Sequence, residues 1–386
     1  MPAFLHILRR EAYRLARNPI YAFCMVVAPL FCCYFFTSLM ASGLPTELPV
    51  GMVDNDRTAM SRNLARNLDA FQMVDITRSY PDVTAARKAM QRGDIYGFFY
   101  IPEGTTRQAQ RQEQPTVSFY MNYSYLIAGS LLYRDMRTMA ELASGAATQS
   151  VLLAKGMADE QAMAYLQPIV IDTHAIHNPW LNYNIYLSNI IIPGLFMLLI
   201  FMVTAYSIGT EVKAGSARHW LNLARGSVAR ALTGKLLPHT IVYLIIGAIY
   251  VFYLYGWLHF PCHCGMATML LIMSLGIVAA QGMGVFMFAM LPSLRLSLSF
   301  ASLWGVLSFS ICGMSFPVMA MHSTLQGISL LFPLRHYFLL YVNSALDGYP
   351  LLNAWPYVLG LLAFALLPAA MLRRLKKTLL TIPYMP

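Results

Sequence analysis

Residues 209–235 read GTEVKAGSARHWLNLARGSVARALTGK, a polar stretch between two runs apolar enough to cross a bilayer. The stretch carries Lys213, Arg218, Arg225, Arg230 and Lys235 against a single acid, Glu211. A basic, helix-capable segment wedged between membrane spans marks the cytosolic face, because cytoplasmic loops hold the excess of Lys and Arg. The same form suits a segment that a cytosolic partner could grip.

The composition agrees with this reading. The chain has 386 residues, 58% hydrophobic and only 11% charged, where soluble domains carry about 25% charged residues. A helix needs roughly 20 largely apolar residues to span the hydrocarbon, and six segments qualify: 20–41, 187–208, 236–258, 266–291, 297–319 and 352–372. The net charge of +10 would suit nucleic acid only if it were spread over a surface. Instead, Arg9, Arg10, Arg14, Arg17, the five cations of the break, Arg295, Arg373, Arg374, Lys376 and Lys377 fall on one side of the membrane. Only Glu11 and Glu211 oppose them there. The other side is slightly acidic, so both termini are expected in the cytosol and no nucleic-acid partner is expected.

The first apolar run is too long for a signal peptide, and the ASGLP after it is a poor cleavage site. Before it, residues 1–19 place Phe4, Ile7, Leu8 and Leu15 near one helical face and Arg9, Arg10, Arg14 and Arg17 on the other, the pattern of an interfacial helix. Residues 42–186, between the first and second spans, have soluble composition and domain length. LPVGMVD, MVDIT, IYGFFYIP and TVSFYMN read as strands. Ser61 to Phe71 and DVTAARKAMQRG read as helices between them. That alternation predicts a small, partly parallel α/β domain outside the cytosol, with 126–165 as a helical stalk or hairpin. Trp180, Tyr183 and Tyr186 form an interfacial aromatic belt where the chain re-enters the membrane. The YGWLHFPCHCG loop lacks Lys and Arg, as an outer loop should. Residues 320–350, broken by prolines, read as an external re-entrant or surface-lying helical hairpin. Residues 373–386 form a cytosolic tail. The expected fold is thus an α-helical integral membrane protein of six transmembrane helices, with an N-terminal interfacial helix and an inserted α/β extracytoplasmic domain.

No catalytic constellation emerges. A P-loop needs four residues between its glycines and Ser or Thr after its Lys. Gly226 and Gly234 are separated by seven, and Leu236 follows Lys235. His259, Cys262, His263 and Cys264 are soft ligands, but their spacing is not a standard zinc pattern, so no metal is expected. The remaining cysteines, Cys24, Cys32, Cys33 and Cys312, sit in spans as small apolar residues and give no disulfide framework. Ser297, Ser299, Ser302, Ser308 and Ser310 line the fifth span. Most such hydroxyls bond within or across helices; Thr204, Ser299, Ser302 and Ser308 are the candidates for a substrate path. Gly276, Ala280 and Gly284 give small-xxx-small spacing for close helix packing. No Lys, Arg, Asp or Glu lies inside a span, which disfavours an ion-coupled carrier. Energy for transport would have to enter from outside the membrane.

These residues, in this order, resemble the permease subunit of type-2 ABC exporters, in the subgroup with large periplasmic domains found in Gram-negative efflux operons. The resemblance rests on VGMVDNDRTAMSRNLARNLDAF and AARKAMQRGDIYGFFYIPEGTTRQ in the external domain. It rests also on NIIIPGLFMLLIFMVTAYSIGTEVKAGSARHWLNLARGSVARALTGKLLP at the second span and its exit, and on SFPVMAMHSTLQGISLLFPLRHYFLLYVNSALDG near the end. Relatives commonly carry an acidic run before the Gly-Thr turn, where this chain keeps only Glu211. The resemblance implies a coupling helix within 209–235 that docks on a cytosolic ABC ATPase, with Glu211, Lys213, Gly215, Ser216, Arg218, Trp220, Leu221 and Leu223 as contacts and Trp220, Leu221 and Leu223 as its apolar anchors. It implies that ATP and Mg bind that ATPase, with no cofactor in this chain. It further implies a second permease copy or paralogue facing the first, second and fifth spans, a periplasmic adaptor, an outer-membrane channel, and a drug-like or lipid-like substrate leaving the inner membrane. A reading from another class is a non-transporting membrane protein whose external domain binds an envelope partner.

Overall fold

The computed structural model describes residues 2–381 other than 112, 168 and 175, so residues 382–386 of the expected tail lie outside the described residues. The chain falls into two compact units: a helical one, made of the residues up to Ala41 and those after 175, and Ser42–His174 inserted between them.

The helical unit begins with α1 (Pro2–Arg17). Ile7 and Glu11, one turn apart, are buried, while Leu5 and Tyr13 open outward. Asn18 ends this helix and caps the next: its side chain accepts from the Ile20 amide at 3.0 Å, with Pro19 in the first helical position. This pairing favours a fresh helix start. It launches α2 (Pro19–Leu39), the first of six helices among the described residues that are long and apolar enough to cross a membrane.

The inserted unit carries β1 (Leu48–Asp54), α3 (Ala59–Asp69), β2 (Val74–Ser79), α4 (Val83–Arg92), β3 (Gly97–Ile101), α5 (Thr105–Gln110), β4 (Ser118–Met121), α6 (Leu126–Ala154) and α7 (Asp159–Leu166). The strand order is β2-β1-β3-β4. β1 pairs in parallel with β2 and β3, and β4 runs antiparallel to β3. β1 is central, which explains its nearly unbroken run of buried residues. Its alternation sends Val50 and Met52 to one face, with Leu68, Leu131 and Leu132, and Val53 to the other, with Ala86 and Ala89. Thr58 and Ser61 form a capping box on α3, and Asp82 caps α4. Residues 126–165, read as a helical stalk or hairpin, hold α6 and most of α7.

The helical unit resumes with α8 (Tyr183–Lys213), α9 (Ala217–Leu223), α10 (Val228–Trp257), α11 (Gly265–Met290), α12 (Leu294–Ile311), α13 (Ser323–Ser329), α14 (Pro333–Leu340) and α15 (Trp355–Thr381). The stretch HNPWLNYN groups with these helices and not with the α/β unit. α8 and α11 form the interior, each with 67% of its most apolar stretch buried, whereas α15 buries only 6% of its own. Close packing of the two depends on Gly284, where a Cβ would sit 2.8 Å from the Thr204 Cβ and 3.0 Å from the Phe201 carbonyl oxygen. Residues 320–350 hold two short helices, α13 and α14.

Three boundaries differ from the sequence reading. The fifth span stops at Ile311, because Gly313 takes a φ of 102° that turns the chain out of the helix. The last span runs on through the basic residues to Thr381. The polar break shrinks to the residues between Lys213 and Val228, since its cations extend the flanking helices: α8 absorbs Glu211 and Lys213, and α10 takes up Arg230 and Lys235.

Candidate functional site: a buried charge cluster beneath a short helix

Ser227 accepts from the Arg230 amide and so starts α10. Between α8 and α10, the seven residues of α9 stand between turns at Gly215 and Gly226. Trp220 and Leu221 are 0% and 2% exposed, in a core with Ile7, Val212, Phe288 and Leu375. These two side chains therefore anchor α9 to its own chain and are not offered outward. Leu223 is half-buried against the same core. What α9 and its turns present is Lys213, Gly215, Arg218, His219, Asn222 and Arg225, all exposed. Arg218 also donates to the Leu380 carbonyl of α15 at 3.2 Å.

Directly beneath lies a charge cluster. The Glu211 carboxylate, fully buried, accepts from Arg10 at 2.7 and 2.9 Å, from Arg14 at 2.7 Å and from Lys235 at 2.9 Å, and also from the Ser216 hydroxyl. Lys235, also fully buried, donates its other bond to Glu11 at 2.8 Å. Glu11 bonds His239 Nε2 at 3.0 Å. The Lys235 ammonium stands 5.3 Å from the centre of the Trp220 ring, within cation–π range. Arg14 reaches the Thr210 hydroxyl as well, at 2.8 Å. Burial by itself would raise the Glu11 pKa, but the His239 hydrogen bond and the Lys235 charge outweigh it and hold it below the usual value.

The geometry has a mechanical consequence. Lys235 on α10 is the shared cation of an acid on α1 and an acid on α8, and Ser216 ties the turn before α9 to the same carboxylate. Buried charges tolerate few alternative arrangements, because any unpaired member is left in low dielectric. Four elements are thereby fixed to one another at one end of the bundle. One flank stays open: a cavity of about 490 Å³ lined by Arg10, Tyr13, Arg14, Arg17, Asn18, Pro19 and Ser216. Solvent thus reaches the arginines but not Lys235.

The family described as ABC-2 family transporter protein matches residues 19–372. The chain belongs to the ABC-2 transporter family. No curated protein matches it. As an ABC-2 permease it is a multi-pass membrane component of an ABC transporter, and the family implies a partner ATPase and a dimeric assembly. The match opens at Pro19, just past α1, so Arg10, Glu11 and Arg14 lie outside it although they complete the cluster.

The candidate path residues of this permease do not converge. Thr204 is fully buried at the α8–α11 contact, and its hydroxyl has no hydrogen-bond partner. Ser308 is buried and donates to the Gly305 carbonyl at 2.5 Å. Ser299 is exposed and Ser302 is half-buried, donating to the Ser299 carbonyl. Among the described residues no group of three or more His, Cys, Asp or Glu is placed to hold a metal. Sequence reasoning missed Arg10, Glu11, Arg14, Lys235 and His239 as a unit. The available signal was Glu11 and Glu211 themselves, the two acids on an otherwise cationic side.

Proposed function

We propose that the chain is the permease of an ATP-driven exporter whose ATPase seats on the exposed face of α9. Arg218, His219 and Asn222 make the contact, and Lys213, Gly215 and Arg225 form its rim. The observation that carries this reading is the burial of Trp220 and Leu221 above the Glu11–Lys235–Glu211 bridge. A push on α9 meets a rigid support and passes into α1, α8 and α10 without being absorbed in a loose loop. The cations cluster at this end, which favours a cytosolic position for it, with both termini inside and the inserted α/β unit outside the inner membrane.

Two such permeases and two ATPases make the working unit. α2 and α12 supply the facing surfaces: Phe31, Tyr34 and Leu39 on the one and Leu296, Leu303 and Val306 on the other are each more than half exposed. Ser299 lies on the same outward stripe of α12. An apolar surface with few hydroxyls suits an amphiphile, drug-like or lipid-like, entering from the cytoplasm or inner leaflet. The α/β unit is the natural seat for a periplasmic adaptor leading to an outer-membrane channel.

The test is to exchange Arg218 and His219 for Glu and purify the permease from its native membranes. Loss of the co-purifying ATPase with an unchanged thermal transition supports the assignment; full retention of the ATPase overturns it.

A further inference from the structure

At the other end of α10, a short loop carries a pair of thiols that the transport reading does not use. Cys262 and Cys264 flank His263, and their Sγ atoms stand 3.7 Å apart, about van der Waals contact for two sulfurs. Both are half-buried and accessible. Cys24, Cys32 and Cys33 lie within α2, and Cys312 is buried at the end of α12. The loop is held on both sides of the pair. Phe260, 7% exposed, docks in the core, and its amide bonds the Leu254 carbonyl at 3.1 Å. Cys264 sits at the start of α11. Between them, the His263 amide donates to the Ala345 carbonyl at 2.8 Å, joining the loop to the segment that follows α14.

We propose that Cys262 and Cys264 are a redox-active thiol pair that closes reversibly to an intrachain disulfide by exchange with an incoming disulfide of the glutathione class. The Cys262 thiolate attacks one sulfur of that disulfide, forms a mixed disulfide and releases one thiolate. Cys264 loses its proton to solvent and attacks the Cys262 sulfur, which breaks the mixed bond and expels the second thiolate. Two cysteine thiols are oxidised and one external disulfide is reduced to two thiols.

The order of attack follows from the contact between the sulfurs. The hydrogen bond from Cys264 draws the Cys262 thiol down to about 7, and the same contact pushes Cys264 up. Cys262 is thus the thiolate near neutrality, and thiolates are the nucleophiles in exchange. Closing the gap to a bond of about 2.0 Å, with both flanks and His263 held, strains the ring. Strain makes a disulfide easier to reduce, so the pair cycles and is not a permanent staple.

The test uses the purified full-length chain, reduced and then exposed to excess oxidised glutathione at neutral pH, with intact-mass and peptide-mass readouts. The wild type is expected to lose two hydrogens and two maleimide-reactive thiols, with the bond mapped between Cys262 and Cys264. Cys264→Ser keeps a hydrogen-bond donor beside Cys262 and is expected to trap a glutathione adduct there. That adduct should form on the order of tenfold faster than the adduct on Cys264 in Cys262→Ser. A wild-type chain that keeps both thiols, or holds only a stable glutathione adduct on either, overturns the proposal. The wild-type peptide map decides this even where a variant folds poorly.

Discussion

Replacing Lys235 with Met probes the charge cluster at the cation that both buried acids share. The side chain is fully buried, bonds Glu11 at 2.8 Å and Glu211 at 2.9 Å, and faces the Trp220 ring. At an effective dielectric of about 20, each contact is worth about 6 kcal/mol of Coulomb energy before desolvation. Taking the ammonium out of water offsets most of that, and Arg10 and Arg14 still compensate Glu211 from the rim. The net loss is that of a broken buried pair, about 3–5 kcal/mol. Met fills a similar volume, so little of the cost comes from a cavity. The further change Glu11→Gln removes the carboxylate that Lys235→Met leaves with only His239 beside it, and the double variant should recover on the order of 2 kcal/mol. Thermal unfolding of the detergent-purified permease, followed by intrinsic fluorescence, reads both steps. A Lys235→Met protein within about 0.5 kcal/mol of wild type would refute the reasoning, because it would mean that water reaches both acids.

Further outcomes follow from other contacts. Trp220→Ala should cost about 3–5 kcal/mol, since it empties a buried aromatic site and removes the ring that faces Lys235; a denaturant titration measures it. Gly284→Val should cost about 1–3 kcal/mol by forcing α8 away from α11 at the Thr204 contact, seen as a lowered thermal transition. The folded chain holds the Glu11 pKa below the ordinary glutamate value of about 4.3, so its contribution is complete above that pH and is lost as the pH falls through the lower, folded value. Stability measured from pH 7 downward should therefore hold to about pH 5 and then drop, with a shallower drop in Glu11→Gln.

Much of the fold was legible because its signals are local. Six apolar runs, the β-α alternation of the insert, and Asn18-Pro19 ahead of the first span each depend on neighbouring residues. The ends of the spans were less legible. Lys235 reads as a loop cation by composition, yet it lies inside α10 because two acids distant in sequence neutralise it. The same residues explain why the site was half read. The position of the 209–235 segment and the isolation of Glu211 were visible, but Glu11 is 200 residues from Glu211, and periodicity carries no record of such a pairing. Trp220 and Leu221 read as anchors for a partner, because a short amphipathic helix does not reveal which chain covers its apolar face. Ser299, Ser302, Ser308 and Thr204 shared only a side-chain hydroxyl, which says nothing of the face each occupies.

Docking of the ATPase on the outer face of α9 is open to a single direct measurement. A photo-crosslinking amino acid placed at His219 of the full-length permease, activated in native membranes, tests it most directly. A covalent adduct to a protein that carries a nucleotide-binding P-loop is expected, with no such adduct from the same probe at Leu303 on α12. Adducts at His219 that contain only lipid or a second permease would contradict it.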